Sequence, residues 1–206
     1  MIEHHATHDT SRVRQTLESI GAVHPSRIAR LSSKTRDRDV PVYHDPVTGV
    51  IFIDDFYVGD DEYCKGAYRT VAMNQSLEDF EDTSRRVNDF RPYYFGRRVV
   101  DFGCGAGNFI RSVNSLTTSA VGVELQEDYR NALVDEGFSC FSSLDDVDDD
   151  VDVIFMFHVL EHLPDPLETL KKCRQVVGNG DGLVVVEVPH ARDLLISHLK
   201  SSQFTA

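Results

Sequence analysis

The chain has 206 residues, 41% hydrophobic and 27% charged, with a formal net charge of -13. That size suits one domain, or one domain with a smaller appendage, and the composition is that of a globular chain. An acidic chain with no basic stripe repels phosphate backbones, so nucleic acid is not an expected partner. No apolar run approaches membrane-spanning length and the polar stretch from Met1 to Arg14 is not read as a signal peptide, so a cytoplasmic protein without a membrane partner is expected.

In chain order, residues 1–9 carry His4, His5 and His8 and are expected to fray, with a metal site as the alternative. Val13, Leu17 and Ile20 recur at helical spacing over 11–20, and Gly21 stops the run. The charged stretch 32–39 predicts a loop. Residues 40–53 predict a hairpin, with Val40–Tyr43 and Val50–Ile53 flanking a turn at Asp45-Pro46-Val47-Thr48-Gly49. Residues 60–90 space Val71, Leu77, Phe80 and Val87 as in one or two amphipathic helices. Tyr57, Tyr63 and Tyr68 precede them, either half-buried in packing or lining a substrate mouth.

From residue 97 the pattern alternates. Strands are predicted at Arg98–Asp101, Ala120–Glu124, Phe138–Phe141, Val151–Phe157 and Gly182–Val188, with helices near 107–116, 127–136 and 165–176. Runs apolar throughout, such as Val153-Ile154-Phe155-Met156-Phe157, belong to parallel strands covered on both faces. Repeated β-α-β units predict an α/β doubly wound, mostly parallel sheet with helices on both faces, preceded by a small α+β segment. The expected division is 1–92 and 93–206. In such sheets ligands bind beyond the carboxyl ends of the strands.

The first of these strands ends in Asp101-Phe102-Gly103-Cys104-Gly105-Ala106-Gly107-Asn108. Glycines at 103, 105 and 107 leave room for backbone to approach a ligand closely. The dinucleotide fingerprint G-x-G-x-x-G spaces its last glycine more widely, and no Lys-Ser/Thr pair follows to make a P-loop. Glu124 ends the second strand, 23 residues after Asp101, where a carboxylate can accept both hydroxyl hydrogens of a ribose. Ser142-Ser143-Leu144-Asp145-Asp146 follows the third, where a polar group can meet an adenine amine. The four cysteines, Cys64, Cys104, Cys140 and Cys173, form no C-x-x-C pair, so reduced thiols are expected; Cys104 is read as a small filler, with a reactive thiol the alternative.

At this point the chain resembles the class I S-adenosylmethionine-dependent methyltransferases. The resemblance rests on Val99–Phe109, on Gly122-Val123-Glu124, on Asp152–Pro166, and on the Gly180-Asp181-Gly182 turn before a strand ending Glu187-Val188-Pro189. It implies a Rossmann-like fold, S-adenosyl-L-methionine as cofactor with S-adenosyl-L-homocysteine as product, and a small-molecule or sugar-type acceptor. Carried over, the cofactor residues are Asp101, Gly103, Cys104, Gly105, Gly107, Glu124, Leu144, Asp145, His158 and Val159. The upstream half resembles the N-terminal part of bacterial methyltransferases of sugar and surface-polysaccharide pathways. Many of those carry a cysteine-paired zinc module; here His44 and Asp45 stand without cysteine pairs, and no metal is expected. The family continues past its fifth strand to seven, whereas Ala191–Ala206 suffices for one short helix over 193–199, so a chain truncated after the fifth strand is expected.

His158 and His162 are the candidate general bases, because imidazole titrates near neutrality and the segment after the fourth strand faces the methyl donor in the family. Hydrogen bonds that merely stabilise the loop are the alternative role. His158-x-x-Glu161-His162 also fits an inverted zinc-peptidase pattern, but that needs a continuous helix, and Pro164 and Pro166 follow at once. A methyltransferase is the expected function. A cofactor-binding but inactive or regulatory domain, a nicotinamide oxidoreductase and a zinc hydrolase are the alternatives.

Overall fold

The helical periodicity after residue 10 forms helix α1, Ser11–Ser19, in a computed structural model that describes residues 11–34, 39–54, 77–148, 150–163, 165–178 and 180–190. Three short strands follow, β1 (Ala29–Ser32), β2 (Val42–His44) and β3 (Ile51–Ile53), in an antiparallel sheet of that order. The predicted hairpin is β2–β3, its first strand starting after Pro41, which has no N–H to give a ladder. Strand β1 was not predicted: it is largely exposed and lacks the alternation that marks a half-buried strand.

Asp45 is fully buried at the hairpin turn. Its carboxylate accepts from the backbone N–H groups of His24 (3.0 Å) and Val47 (2.9 Å) and from Arg27 Nε (3.0 Å). Arg27 foremost, with these amides, holds the carboxyl far below its ordinary range against the opposing effect of burial. Asp45 is thus the turn's internal anchor. The predicted features at 1–9, at the tyrosines of 57–68 and at 193–199 lie outside the described residues.

A second unit contains helices α2 (Leu77–Asp89) and α3 (Arg91–Tyr94), then β4 (Arg98–Phe102), α4 (Asn108–Val113), β5 (Ser119–Val123), α5 (Glu127–Asp135), β6 (Ser139–Phe141), β7 (Val153–Phe157), α6 (Pro166–Val176) and β8 (Leu183–Glu187). The five strands are parallel in the order β6-β5-β4-β7-β8. Side chains alternate across this sheet. Val99, Val153 and Phe155 bury against Phe109, Ile110 and Val113 of α4, while Val100, Ile154 and Met156 bury against Cys173 and Val176 of α6. Both faces are covered, as the apolar runs predicted.

Helix α2 packs on α4 within this unit, and the Tyr94 hydroxyl donates to the Val87 carbonyl at 2.7 Å. Helix α2 therefore belongs to the unit that carries the parallel sheet. Strand order reverses direction at β4, opening a crevice beyond its carboxyl end. Among the described residues no helix is long and apolar enough to cross a membrane.

Candidate cofactor and methyl-transfer site

The glycine turn occupies that crevice. Gly103 and Gly107 sit in the left-handed region at φ +74° and +75°. A Cβ would lie 2.4 Å from Val159 Cγ2 at the first and 2.3 Å from Leu133 Cδ2 at the second, so only glycine fits either place. Gly105, at φ +51°, differs. Among the described residues a Cβ there meets nothing within 4 Å, so its outer face is open to them.

Glu124 follows β5 and turns back onto this loop. Its own N–H donates to the Phe141 carbonyl at 2.9 Å, fixing it between β4 and β6. The carboxylate accepts from the backbone N–H of Gly105 at 2.8 Å and of Gln126 at 2.9 Å, and is 8% exposed. The acid one strand over therefore holds the glycine turn itself, a role the sequence pattern did not reveal. Each oxygen retains a second lone pair.

Asp101, 3% exposed at the end of β4, has its carboxyl pushed up to about 7. Burial does most of this; Arg86 opposes it, and the negative charge of Glu124 adds to it. Asp101 therefore keeps its proton up to about neutrality.

The opposite wall comes from the end of β7. His158 takes φ +56°, in the left-handed region, and its N–H donates to the Glu187 carbonyl at 2.8 Å. That turn carries Val159 under Gly103 and leaves the imidazole between two acids: Nδ1 lies 3.4 Å from Glu161 Oε1 and Nε2 3.4 Å from Glu187 Oε1. His162 Nε2 lies 3.9 Å from the same Glu161 oxygen. Residues Leu160–His162 form a single 3-10 turn, not the continuous helix that the zinc-peptidase pattern requires. Among the described residues no three His, Cys, Asp or Glu side chains converge as metal ligands.

Helix α2 reaches this wall through two arginines. Arg85 and Arg86 donate to the Glu187 carboxylate at 2.7–2.9 Å, and the Arg86 guanidinium lies 4.7 Å from the centre of the Phe157 ring. Burial alone would raise the Glu187 carboxyl, but Arg86 and Arg85 outweigh it and hold it below its ordinary value. Sequence reasoning missed this pair; its one visible signal is adjacent arginines on an amphipathic helix.

The third-strand candidates sit differently. Leu144 is buried in the core with Val123 and Met156. The Asp145 side chain is exposed and engaged by Lys172 Nζ at 2.9 Å, which with Ser143 lowers its carboxyl pKa. Cys104 and Cys140, both half-buried, place their sulfurs 3.9 Å apart beside the glycine turn.

The profile of a methyltransferase-domain family matches residues 68–205. The chain belongs to this family. The methyltransferase domain is 30% identical over 102 residues to the ubiquinone biosynthesis O-methyltransferase of Aromatoleum aromaticum, covering 41% of each chain. It is 28% identical over 115 residues to the protein of the same name from Thiobacillus denitrificans, covering 50% of each. It thus spans about half or less of the curated relatives it matches. Among solved structures, the DhpI-SAM-HEP complex aligns with a TM-score of 0.52 at 19% identity, over 65% of this chain and 66% of that one. That likeness establishes the Rossmann-like fold of the methyltransferase domain.

Proposed function

We propose that this chain binds S-adenosyl-L-methionine at the glycine turn, passes the methyl group to an oxygen of a small-molecule acceptor, and releases S-adenosyl-L-homocysteine. One observation carries the reading: the Gly105 N–H is fixed on Glu124 at 2.8 Å while the face of Gly105 stays open. A loop so held, beside a carboxylate with lone pairs to spare, fits an adenosyl group whose ribose hydroxyls need an acceptor. The curated relatives are O-methyltransferases of ubiquinone biosynthesis, which favours a small acceptor and an oxygen. A sugar hydroxyl satisfies the same chemistry.

When bound, the cofactor supplies an electrophilic methyl on a sulfonium. The chain's part is to position, to exclude water and to move a proton. Glu124 holds the ribose end, and Gly103, Cys104, Gly105 and Gly107 pass close to the donor. Asp101, ionised once its proton leaves, balances the cationic end of the cofactor. Leu144 and Asp145 border the adenine side, and Val159 backs the turn beneath Gly103. The acceptor's hydroxyl proton passes to His158, whose ring Glu161 and Glu187 orient and whose gained charge they offset. His162, on the same Glu161, is the second candidate for that proton. The reading places the protein in the cytoplasm with its thiols reduced.

Calorimetric titration of the folded chain with S-adenosyl-L-homocysteine tests binding, and tritium transfer from labelled S-adenosyl-L-methionine to hydroxyl-bearing acceptors tests the reaction. Saturable binding, with transfer that falls in His158→Ala while binding is kept, is the expected result. A folded chain that gives no binding heat overturns the reading.

A further inference from the structure

We propose that Cys104 and Cys140 form an oxidisable dithiol, and that its disulfide loosens the grip of the glycine turn on the cofactor. The regulatory half rests on the cofactor reading above; the dithiol itself does not. The two sulfurs lie 3.9 Å apart, one in the turn after β4 and the other on β6, although 36 residues separate them. They meet across Gly122 of the intervening strand. A Cβ on Gly122 would lie 2.8 Å from the Cys104 sulfur and 2.9 Å from that of Cys140, so any larger residue would push the pair apart. Both residues are half-buried, within reach of a small oxidant.

The chemistry needs a peroxide as the oxidant. Either thiol can donate across the 3.9 Å contact; with Cys104 donating, the Cys140 pKa is lowered and that sulfur is the nucleophile. Cys140 attacks a peroxide oxygen, the O–O bond breaks, one water leaves and Cys140 becomes a sulfenic acid. The Cys104 sulfur then attacks the Cys140 sulfur; the S–S bond forms, the S–O bond breaks and a second water leaves. Two thiols and one hydrogen peroxide thus give one disulfide and two waters.

Bonded sulfurs sit ~2 Å apart, so the pair must close by about 2 Å from its present 3.9 Å. The β6 end is fixed in the sheet, where Cys140 pairs with Gly122. The movement falls on Cys104, flanked by two glycines, and the next N–H along is the one Gly105 gives to Glu124. Oxidation therefore pulls directly on the contact that closes the cofactor cradle.

The test uses the full chain in a Cys64→Ser, Cys173→Ala background, leaving this pair alone. After hydrogen peroxide and alkylation, mass spectrometry is expected to find a Cys104–Cys140 cross-linked peptide lighter by two hydrogens and restored by dithiothreitol. Affinity for S-adenosyl-L-homocysteine is expected to fall about tenfold on oxidation, as for loss of one charge-assisted hydrogen bond, and to recover on reduction. Adding Cys140→Ser is expected to remove the peroxide response. Thiols that stay alkylatable, or that oxidise separately to sulfinic acids, overturn the proposal, as does a disulfide that leaves affinity unchanged. A reduced chain that binds no S-adenosyl-L-homocysteine overturns the cofactor reading instead, and the dithiol then stands or falls on the mass spectrum.

Discussion

Replacing Asp101 by asparagine is expected to stabilise the fold at alkaline pH and to do progressively less as the solution is acidified. The carboxyl rises from 3.8 to about 7 on folding, chiefly by burial and further by Glu124, with Arg86 opposing. A raised carboxyl means the folded chain binds the proton more tightly than the unfolded one. The stability tied to that proton is complete below about pH 4 and is lost as pH rises through about 7. Each unit of separation is worth about 1.4 kcal/mol, so between pH 5 and pH 8 the wild type loses up to about 3 kcal/mol through this one group. Asparagine cannot ionise and is spared the loss. Any constant cost of the amide cancels between the two pH values. Urea unfolding of both chains at pH 5 and pH 8 reads the quantity directly, and the variant's advantage is expected to be greater at pH 8. An offset identical at both values would show that Asp101 titrates as an ordinary carboxylate and that burial at the end of β4 does not govern it.

Glu124→Ala is expected to weaken S-adenosyl-L-homocysteine binding by about 1–3 kcal/mol in calorimetry, through loss of charge-assisted hydrogen bonds; unchanged affinity would place the ribose elsewhere. Gly107→Ala forces a Cβ to 2.3 Å from the buried Leu133 at φ +75°, and is expected to cost about 2–3 kcal/mol in denaturant unfolding. Asp45→Ala removes the acceptor for three backbone amides and Arg27, and a lower thermal midpoint is expected by circular dichroism. Retention of the wild-type midpoint would show that the hairpin turn closes without that anchor.

What the sequence made legible, and what it hid, follows from the range of the interactions. The β7 run is apolar throughout, and the apolar centres of β4 (Val99, Val100) and β8 (Leu183–Val186) flank it, because both faces of the sheet are covered; that pattern is local. The glycine turn is local too, and three positive-φ positions within five residues leave a plain trace. Contacts closed by the fold leave none. Arg86 and Glu187 are 101 residues apart, and no periodicity in α2 says which acid it will meet. The Cys104–Cys140 approach needs β5 to be flanked by the turn on one side and β6 on the other. Strand β1 was invisible because its side chains are largely exposed, so burial imprints no alternation. Helix α2 is amphipathic whichever unit it covers, and only its packing on α4 assigns it to the unit of the parallel sheet.

The most direct measurement is a backbone amide NMR titration of the isotopically labelled chain with S-adenosyl-L-homocysteine. Saturable shifts are expected to concentrate at Gly103, Gly105, Gly107 and Glu124, with the Gly105 amide moving furthest because its hydrogen bond to Glu124 borders the open face. Binding that leaves these amides in place and shifts a different part of the sheet would contradict the assignment of the glycine turn as the cofactor cradle.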